Sequence, residues 1–291
     1  MRISELISTS KVHMSCEIFP PKVFEKVEEA KSVVGEICKL HPSYVSVTYG
    51  ATGKTPHFTQ EMSECIQDCG VVALNHLTCI NDTKSKVQVV LDNLKKVGVN
   101  NILALRGDLP EGVDFPGEDH FRYASELIEA IKLRGDFCVG AACYPEGHPE
   151  APSRDQDLIY LRMKQDAGAD FMTTQMFFDN NILYQFLYRA LQKGITIPVT
   201  AGVMPVTNAN QIRRINSLSS ASIPQRFMSI LDRFGSDPES MKKAGIAYAT
   251  DQIIDLIANG VNNIHLYTMN KPDIAKAIID NLGCILDTSY E

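Results

Sequence analysis

The chain has neither an excess of positive charge nor a long hydrophobic run. Its 28 Lys and Arg residues are outnumbered by 35 Asp and Glu residues, which gives a formal net charge of −7. A nucleic-acid partner normally requires a basic face, so none is expected. The apolar runs fall well short of the roughly 20 residues that span a bilayer, and residues 1–6 lack the apolar core of a signal peptide. We therefore expect a cytoplasmic protein without a membrane partner.

Common metal and nucleotide motifs are also absent from the sequence. No Cys-x-x-Cys pair occurs, residues 50–55 fail the spacing of a phosphate loop, and no convincing Gly-x-Gly-x-x-Gly follows the first predicted strand. The Glu and His residues of segment 146–150 lack a third well-spaced donor, so no metal is expected there. The cysteines are expected to be free thiols, and four lie in apolar, strand-like contexts that predict burial: Cys16, Cys79, Cys138 and Cys143.

What the chain does contain is a regular alternation of strand-like and helical patterns. Eight strands, each followed by a helix, are typical of a closed (β/α)8 barrel, whose usual length is roughly 250 residues. The predicted strands are His13–Phe19, Tyr44–Thr48, Val72–Cys79, Asn101–Leu105, Phe137–Ala142, Phe171–Thr174, Ile197–Val203 and Asn263–Tyr267. The predicted helices lie near residues 23–39, 57–69, 84–97, 120–133, 154–167, 181–193, 238–259 and 272–282.

The joints between helices and strands support a single barrel over residues 1–291. The sequence from Gly98 to Ile102 recurs almost unchanged from Gly260 to Ile264. In both copies a glycine ends a helix, as expected of a left-handed C′ residue, and a strand follows. Segment 204–240 is less regular, and we expect it to hold extra helices between strands 7 and 8.

Polar residues recur where predicted strands end. In a barrel these ends form the mouth, where active sites lie. Six strands end in this way, with Glu17, Thr48, His76, the Arg106–Asp108 segment, the Tyr144–Glu146 segment and Gln175. A site at the mouth is therefore predicted.

Glu17 is the sharpest candidate because its chain neighbours are apolar. Desolvation would raise the pKa of its carboxyl group, which suits a general acid. The alternative is a carboxylate paired with Lys22 or with an arginine across the mouth. Asp108 could orient a substrate or tune a cofactor, or it could form a loop salt bridge with Arg106. For His76 taken alone, a core histidine whose hydrogen bonds are satisfied is the favoured interpretation.

Several motifs, taken in order, resemble those of bacterial methylenetetrahydrofolate reductases. The resemblance covers nearly the whole chain. It rests on Cys16-Glu-Ile-Phe-Pro-Pro21, Val45-Ser-Val-Thr-Tyr-Gly50, His76-Leu-Thr-Cys79, Leu105-Arg-Gly-Asp-Leu-Pro110, the segment from Ala142 to Glu150, Asp166-Ala-Gly-Ala-Asp170 with Thr174-Gln175, and Leu266-Tyr-Thr-Met-Asn270.

The resemblance implies an FAD-containing barrel that reduces 5,10-methylenetetrahydrofolate to 5-methyltetrahydrofolate with hydride from a reduced nicotinamide. It implies that Glu17 protonates N10 and that Asp108 contacts the pterin and tunes the flavin. Gln175, Gln211 and Lys271 are implied to bind folate, and Arg213 and Arg214 could add positive charge for its glutamate, unless they are a solvated helix face. The implied FAD contacts are Thr48, His76, Arg106, Gly107, Asp108, Tyr123, Ala124, Tyr144, His148, Asp157 and Lys164.

Three residues depart from the family pattern. Ile215 replaces an aromatic residue that packs on folate or nicotinamide, while Tyr160 and Met163 replace an Asn and an Arg among the FAD contacts, with Arg162 next to the latter. We expect NADH as the donor, with a redox partner subunit as the alternative, and a homo-oligomer. The regulatory domain that eukaryotic relatives append is not expected. Rival functions are a folate-binding methyltransferase barrel without flavin, another FAD barrel such as a proline dehydrogenase relative, and a scaffold without catalysis.

Overall fold

In a computed structural model of the protein, eight parallel strands close into one barrel in chain order, with the eighth strand paired to the first. The structure describes residues 1–49, 56–109, 117–135, 137–218 and 221–287, without the side chains of residues 56, 213, 214, 216–218 and 287. The strands are β1 (His13–Ile18), β2 (Tyr44–Val47), β3 (Val72–Thr78), β4 (Asn101–Leu105), β5 (Cys138–Cys143), β6 (Phe171–Thr174), β7 (Val199–Val203) and β8 (Asn263–Tyr267). The predicted barrel is confirmed.

Helices surround the barrel and one further helix lies at its amino end. They are α1 (Ile3–Ile7), α2 (Val27–Cys38), α3 (Pro56–Asp68), α4 (Lys84–Lys96), α5 (Ala124–Lys132), α6 (Arg154–Asp166), α7 (Asn180–Gln192), α8 (Ala209–Leu218), α9 (Gln225–Phe234), α10 (Pro238–Ala258) and α11 (Pro272–Leu282). The extra helices expected between β7 and β8 are α8 and α9. Helix α1 was not predicted. No helix in the described ranges is long and apolar enough to cross a membrane.

The differences between predicted and observed boundaries have local causes. Strand β7 begins at Val199 and not at Ile197, because Pro198 has no N–H to donate to the sheet. Helix α2 begins at Val27, after a short 3₁₀ turn at Phe24–Lys26. Helix α5 begins at Ala124 because Tyr123 is extended, with φ −130° and ψ 152°.

Helix α4 shows how the sequence specifies the outer layer. Val87, Leu91 and Leu94 follow a helical spacing and are fully buried against the barrel. Thr83 caps the amino end by accepting a hydrogen bond from the Lys86 N–H at 3.3 Å. Gly98 ends the segment at φ +77°, as predicted for a left-handed C′ residue. Burying each of these three side chains stabilises the fold by about 1.5–3 kcal/mol.

Side chains on the strands alternate between the helices and the barrel interior, and the interior has two different halves. At the amino end an apolar cluster fills it, and α1 packs on this cluster; its members are Ile3, Ile7, Tyr44, Leu74, Leu103, Cys138 and Phe171. Gly140 is required there because a Cβ would lie 2.5 Å from the Phe171 ring. Towards the carboxyl end the inward positions become polar. The site therefore lies at the open end.

Candidate active site

A cavity of about 1080 Å³ opens at the carboxyl ends of the strands. Thirteen of the residues proposed from the sequence line it: Glu17, His76, Arg106, Gly107, Asp108, Tyr123, Ala124, Tyr144, His148, Asp157, Lys164, Gln175 and Gln211. Thr48 and Lys271 do not line it, although the neighbouring residues Tyr49 and Met269 do. The strand-end pattern thus brings most of the candidates together.

Glu17 lies in the cavity wall with polar partners from three other strands. Its Oε2 atom is 3.4 Å from His265 Nε2, 3.4 Å from Ser46 Oγ and 3.5 Å from His76 Nε2. Neither Lys22 nor an arginine forms an ion pair with it among the described residues. Burial alone raises the pKa of the Glu17 carboxyl group, but the bond to His265, the charges of the two histidines and the Ser46 bond together hold that pKa below its ordinary value. The expected upward shift is therefore wrong.

His76 lines the same wall and is 5% exposed. Burial lowers its pKa to about 4, against the opposing effect of Glu17. The imidazole is therefore neutral at physiological pH. Its Nε2 atom has no hydrogen-bond partner among the described residues, so the ring is not a core histidine with all its bonds satisfied.

His265 is a buried residue of the site that sequence reasoning missed. It lies on β8, and β8 pairs with β1 so that Ser15 is level with His265. His265 Nδ1 is 2.8 Å from Ser15 Oγ, and the imidazole stacks on Tyr44 with ring centroids 5.9 Å apart. The signal that could have found it is the inward alternation of β8, because position 265 shares the inward face with position 267, which lines the cavity.

Arg106 and Glu150 form a two-pronged ion pair at the mouth. The two guanidinium nitrogens lie 2.5 and 2.7 Å from the Glu150 carboxylate oxygens. The predicted alternative, an ion pair between Arg106 and Asp108, is absent among the described residues, and Asp108 is exposed on the cavity rim. Glu150 had not been singled out as a partner. Gly107 is held at φ +88°, where a Cβ would lie 3.0 Å from Ile80, so the rim needs glycine at this position.

Lys164 is a partly buried cation in the cavity wall. Its Nζ donates to the Ala142 carbonyl at 2.8 Å, and it forms no salt bridge within the described part of the chain. Burial lowers its pKa, against smaller opposing effects of Cys143 and Asp157. Asp157, whose own pKa burial raises, accepts a bond from the His148 N–H at 3.2 Å. A cation with spare hydrogen-bonding capacity is suited to an anionic ligand.

The three folate-binding candidates follow β6, β7 and β8. Gln175 and Gln211 line the cavity, and Gln211 Oε1 accepts bonds from the N–H groups of Thr207 and Asn208, which fixes the turn before α8. Lys271 directly precedes α11. The side chains of Arg213 and Arg214 lie outside the described residues, so the predicted basic cluster is described only at Lys271.

The three departures from the family pattern all line the cavity. Ile215 is 3% exposed and packs in an apolar cluster with Phe178 and Phe227. Tyr160 and Met163 are exposed at the rim. Arg162 does not replace the missing cation, because it bonds Asp166 and the Gly194 carbonyl on the outer side of α6.

Comparison with known sequences decides the family. The sequence model of the family described as methylenetetrahydrofolate reductase matches residues 2–283. The chain belongs to the methylenetetrahydrofolate reductase family. The 5,10-methylenetetrahydrofolate reductase of Escherichia coli is 35% identical over 274 residues, which cover 94% of this chain and 91% of that enzyme. The enzyme of the same name from Pectobacterium carotovorum is 34% identical over the same shares.

A plant member of the family is also similar. The maize protein named methylenetetrahydrofolate reductase (NADH) 1 is 35% identical over 298 residues, covering 98% of this chain and 50% of the maize protein.

Solved structures of distant sequence share the fold. A Clostridium thermocellum protein described as binding two copies of 5-methyl-5,6,7,8-tetrahydrofolic acid has a TM-score of 0.67 and 16% identity, covering 98% of this chain and 99% of that one. An oxaloacetate acetylhydrolase has a TM-score of 0.55 and 12% identity, covering 95% and 82% of the two chains. At these identities the likeness shows the barrel alone.

Proposed function

We propose that this protein reduces 5,10-methylenetetrahydrofolate to 5-methyltetrahydrofolate, with FAD as its resident cofactor and NADH as the electron donor. The observation that carries the proposal is a buried carboxyl group, Glu17, in the wall of a large cavity in a barrel of this family. The cytoplasmic location and the homo-oligomer remain predictions.

The residues of the cavity fit FAD. Its volume of about 1080 Å³ exceeds the roughly 300–1,000 Å³ of most small-ligand sites. Arg106 and Lys164 supply cationic donors for a diphosphate, and Glu150, which holds Arg106, lies at the exposed rim where a ligand can compete with it. Thr78 Oγ1, in a residue that lines the cavity, has no hydrogen-bond partner among the described residues. When bound, FAD supplies the hydride for the substrate carbon.

The protein's own task is to make that carbon reactive. Protonation of N10 by Glu17 breaks the bond between N10 and the bridging carbon, and the bonding electron pair goes to N10. The folate is left with an iminium group at N5, which accepts hydride and becomes the N5 methyl group. A positioned general acid contributes about 10²–10⁴ in rate. Asp108, Gln175, Gln211 and Lys271 are the residues proposed to hold the pterin and the benzoyl-glutamate portion.

The electron donor is the less constrained part of the proposal. The maize relative carries NADH in its name, which supports a nicotinamide donor. The apolar Ile215 in the cavity wall offers a nicotinamide ring no aromatic face, so a redox partner subunit stays the alternative.

The first test asks whether the protein contains flavin. We expect the purified protein to be yellow, and acid precipitation to release FAD into the supernatant because no covalent attachment is expected. A colourless protein that takes up no FAD on reconstitution would contradict the cofactor assignment.

The second test separates the folate reaction from the donor. The flavin is photoreduced anaerobically and mixed with 5,10-methylenetetrahydrofolate. Reoxidation with formation of 5-methyltetrahydrofolate, detected by mass spectrometry, is the expected result. Failure of this step in a flavin-loaded protein would reject the proposed reaction, whatever donor is used in the cell.

A further inference from the structure

We propose that Tyr267 is a positioning residue for folate binding. Its hydroxyl group reaches across β7 and holds the end of β6, so that Gln175 presents its amide N–H groups to the ligand. The inference deepens the proposed function and rests on it for the identity of the ligand. The contacts that carry it are independent of that function, and they join β8 to β6 across the strand that lies between them.

The end of β6 is held by side-chain bonds. The paired register of β6 and β7 ends at Thr173 and Thr200. Just beyond it, the Gly202 N–H donates to Thr174 Oγ1 at 2.8 Å. The Tyr267 hydroxyl donates to the Thr174 carbonyl at 2.6 Å. The phenol on β8 therefore fixes the last carbonyl of β6.

Gly202 makes this reach across β7 possible. A Cβ at this position would lie 2.5 Å from the Thr174 carbonyl oxygen and 2.7 Å from the Tyr267 ring. Non-bonded carbon atoms prefer a separation of about 3.5–4.0 Å, so a larger residue would displace the phenol and break its bond. The space over Gly202 is therefore the path by which a side chain of β8 reaches β6.

The bond from Tyr267 clamps one end of a peptide unit whose other end is also held. The Thr174 carbonyl and the Gln175 N–H belong to the same planar peptide group. The carbonyl accepts from Tyr267 on β8, and the N–H donates to the Cys143 carbonyl on β5 at 2.7 Å. Because both ends are fixed, the direction in which the Gln175 side chain leaves the backbone is fixed as well.

The Gln175 side chain has a defined orientation. Its Oε1 atom accepts from the Met176 backbone N–H at 2.9 Å. A backbone N–H can only donate, so the amide oxygen and not the amide nitrogen faces it. Gln175 lines the cavity, and its NH2 group is the polar end that remains for a ligand. The complementary ligand group is a hydrogen-bond acceptor, and a pterin ring offers a carbonyl oxygen and ring nitrogens.

The hydroxyl of Tyr267 stays a donor and does not supply a proton to the reaction. Burial, and to a smaller extent the charge of Glu17, raise the pKa of this phenol well above its ordinary value. The hydroxyl is therefore protonated throughout the neutral pH range, and its hydrogen is directed at the Thr174 carbonyl. Although Tyr267 lines the cavity, its hydroxyl acts through Gln175.

The test compares Tyr267→Phe, which keeps the ring and removes the hydroxyl, with a matched control. Tyr248→Phe also removes a phenol that donates to a backbone carbonyl, that of Phe178 at 2.7 Å, but Tyr248 does not line the cavity. The binding probe is tetrahydrofolate, which lacks the bridging carbon and cannot accept hydride. Anaerobic titration calorimetry of the flavin-loaded protein gives its Kd. The folate half-reaction, in which 5,10-methylenetetrahydrofolate reoxidises photoreduced flavin, gives an apparent Kd and a limiting rate.

We expect Tyr267→Phe to raise both Kd values about three- to tenfold, as for the loss of one hydrogen bond. The limiting rate should stay within about twofold of the wild type, because a residue that only binds substrate changes the Kd and not the rate. The ratio between variant and wild type should be the same at pH 6 and pH 8, and Tyr248→Phe should match the wild type. An unchanged Kd, a loss confined to the limiting rate, or a ratio that changes with pH would overturn the proposal.

A double-mutant cycle with Gln175→Ala decides whether Tyr267 acts through Gln175. In the Gln175→Ala background, Tyr267→Phe should have almost no further effect on the Kd of tetrahydrofolate, because the two residues act as a unit. If the full effect persists in that background, Tyr267 is an independent folate contact and the proposal is wrong. A flavin-loaded wild type that binds no tetrahydrofolate would overturn the proposed function together with this inference, whereas a wild-type Kd in Tyr267→Phe would overturn the inference alone.

Discussion

The two halves of the barrel interior are built from the same eight strands, but one half is apolar and the other is polar. The amino half is filled by side chains such as Leu74 and Phe171 and is covered by α1. The carboxyl half places Glu17, His76 and His265 at inward positions around one cluster of polar contacts. Burial of apolar side chains stabilises the barrel, whereas each buried polar group costs free energy unless it is paired. We therefore expect the amino half to contribute mainly to stability and the carboxyl half mainly to catalysis.

The largest expected effect is on catalysis by the carboxyl half. Glu17→Gln keeps the shape of the side chain but cannot supply a proton, so the folate half-reaction should slow by about 10²–10⁴. Reduction of the flavin by its donor needs no such acid and should be nearly unchanged. Stopped-flow absorbance measures the two half-reactions separately. The control is Glu64→Gln, a half-buried carboxylate of α3 that does not line the cavity. Equal slowing of both half-reactions by Glu17→Gln would make Glu17 a structural residue.

The amino half should respond in the opposite way. Leu74 is 1% exposed and does not line the cavity. Leu74→Ala leaves a void in the apolar cluster and should lower the free energy of unfolding by about 2–5 kcal/mol. Both half-reactions should keep their rates at temperatures where the variant is folded. Urea titration gives the stability change, and a variant as stable as the wild type would show that this layer does not hold the barrel together.

Acid should lower the free energy of unfolding through His76, a buried group of the carboxyl half. The pKa of His76 falls from its usual 6.5 to about 4 in the folded protein because of burial. Between these pH values His76 binds a proton in the unfolded chain but not in the folded chain. The free energy of unfolding therefore falls as the solution is acidified through this window. The loss between pH 6.5 and pH 5 amounts to at most about 2 kcal/mol. Urea titrations at the two pH values should show a smaller difference for His76→Gln, and an unchanged difference would assign the acid sensitivity elsewhere.

The same contrast explains how much could be predicted from the sequence. The strands and the mouth were predictable because apolar runs recur with helices between them and because polar residues stand where strands end. Ser15 and His265 were not, since they are 250 positions apart and meet only when the barrel closes.

The direction of the Glu17 pKa was wrong for a related reason. Its apolar chain neighbours Cys16 and Ile18 point outward into the helix layer. The inward neighbours that determine the electrostatics come from β2, β3 and β8. Residues next to each other in a strand point to opposite faces of the sheet. The chain neighbours of Glu17 therefore say little about its surroundings, which form only when the barrel closes.

The smallest expected effect is on the affinity for NADH and concerns Ile215 in the cavity wall. Ile215 lines the cavity but has no aromatic face, and an aromatic contact with a flat ring adds about 0.5–1.5 kcal/mol beyond burial. Ile215→Phe should therefore lower the apparent Kd of NADH in flavin reduction roughly two- to tenfold. The folate half-reaction should change little. Ile212 lies one turn earlier in the same apolar cluster and does not line the cavity, so Ile212→Phe controls for overpacking. The contrary outcome is a wild type with a micromolar apparent Kd for NADH that Ile215→Phe leaves unchanged. Ile215 would then not limit NADH binding, and the partner-subunit alternative would lose its motivation.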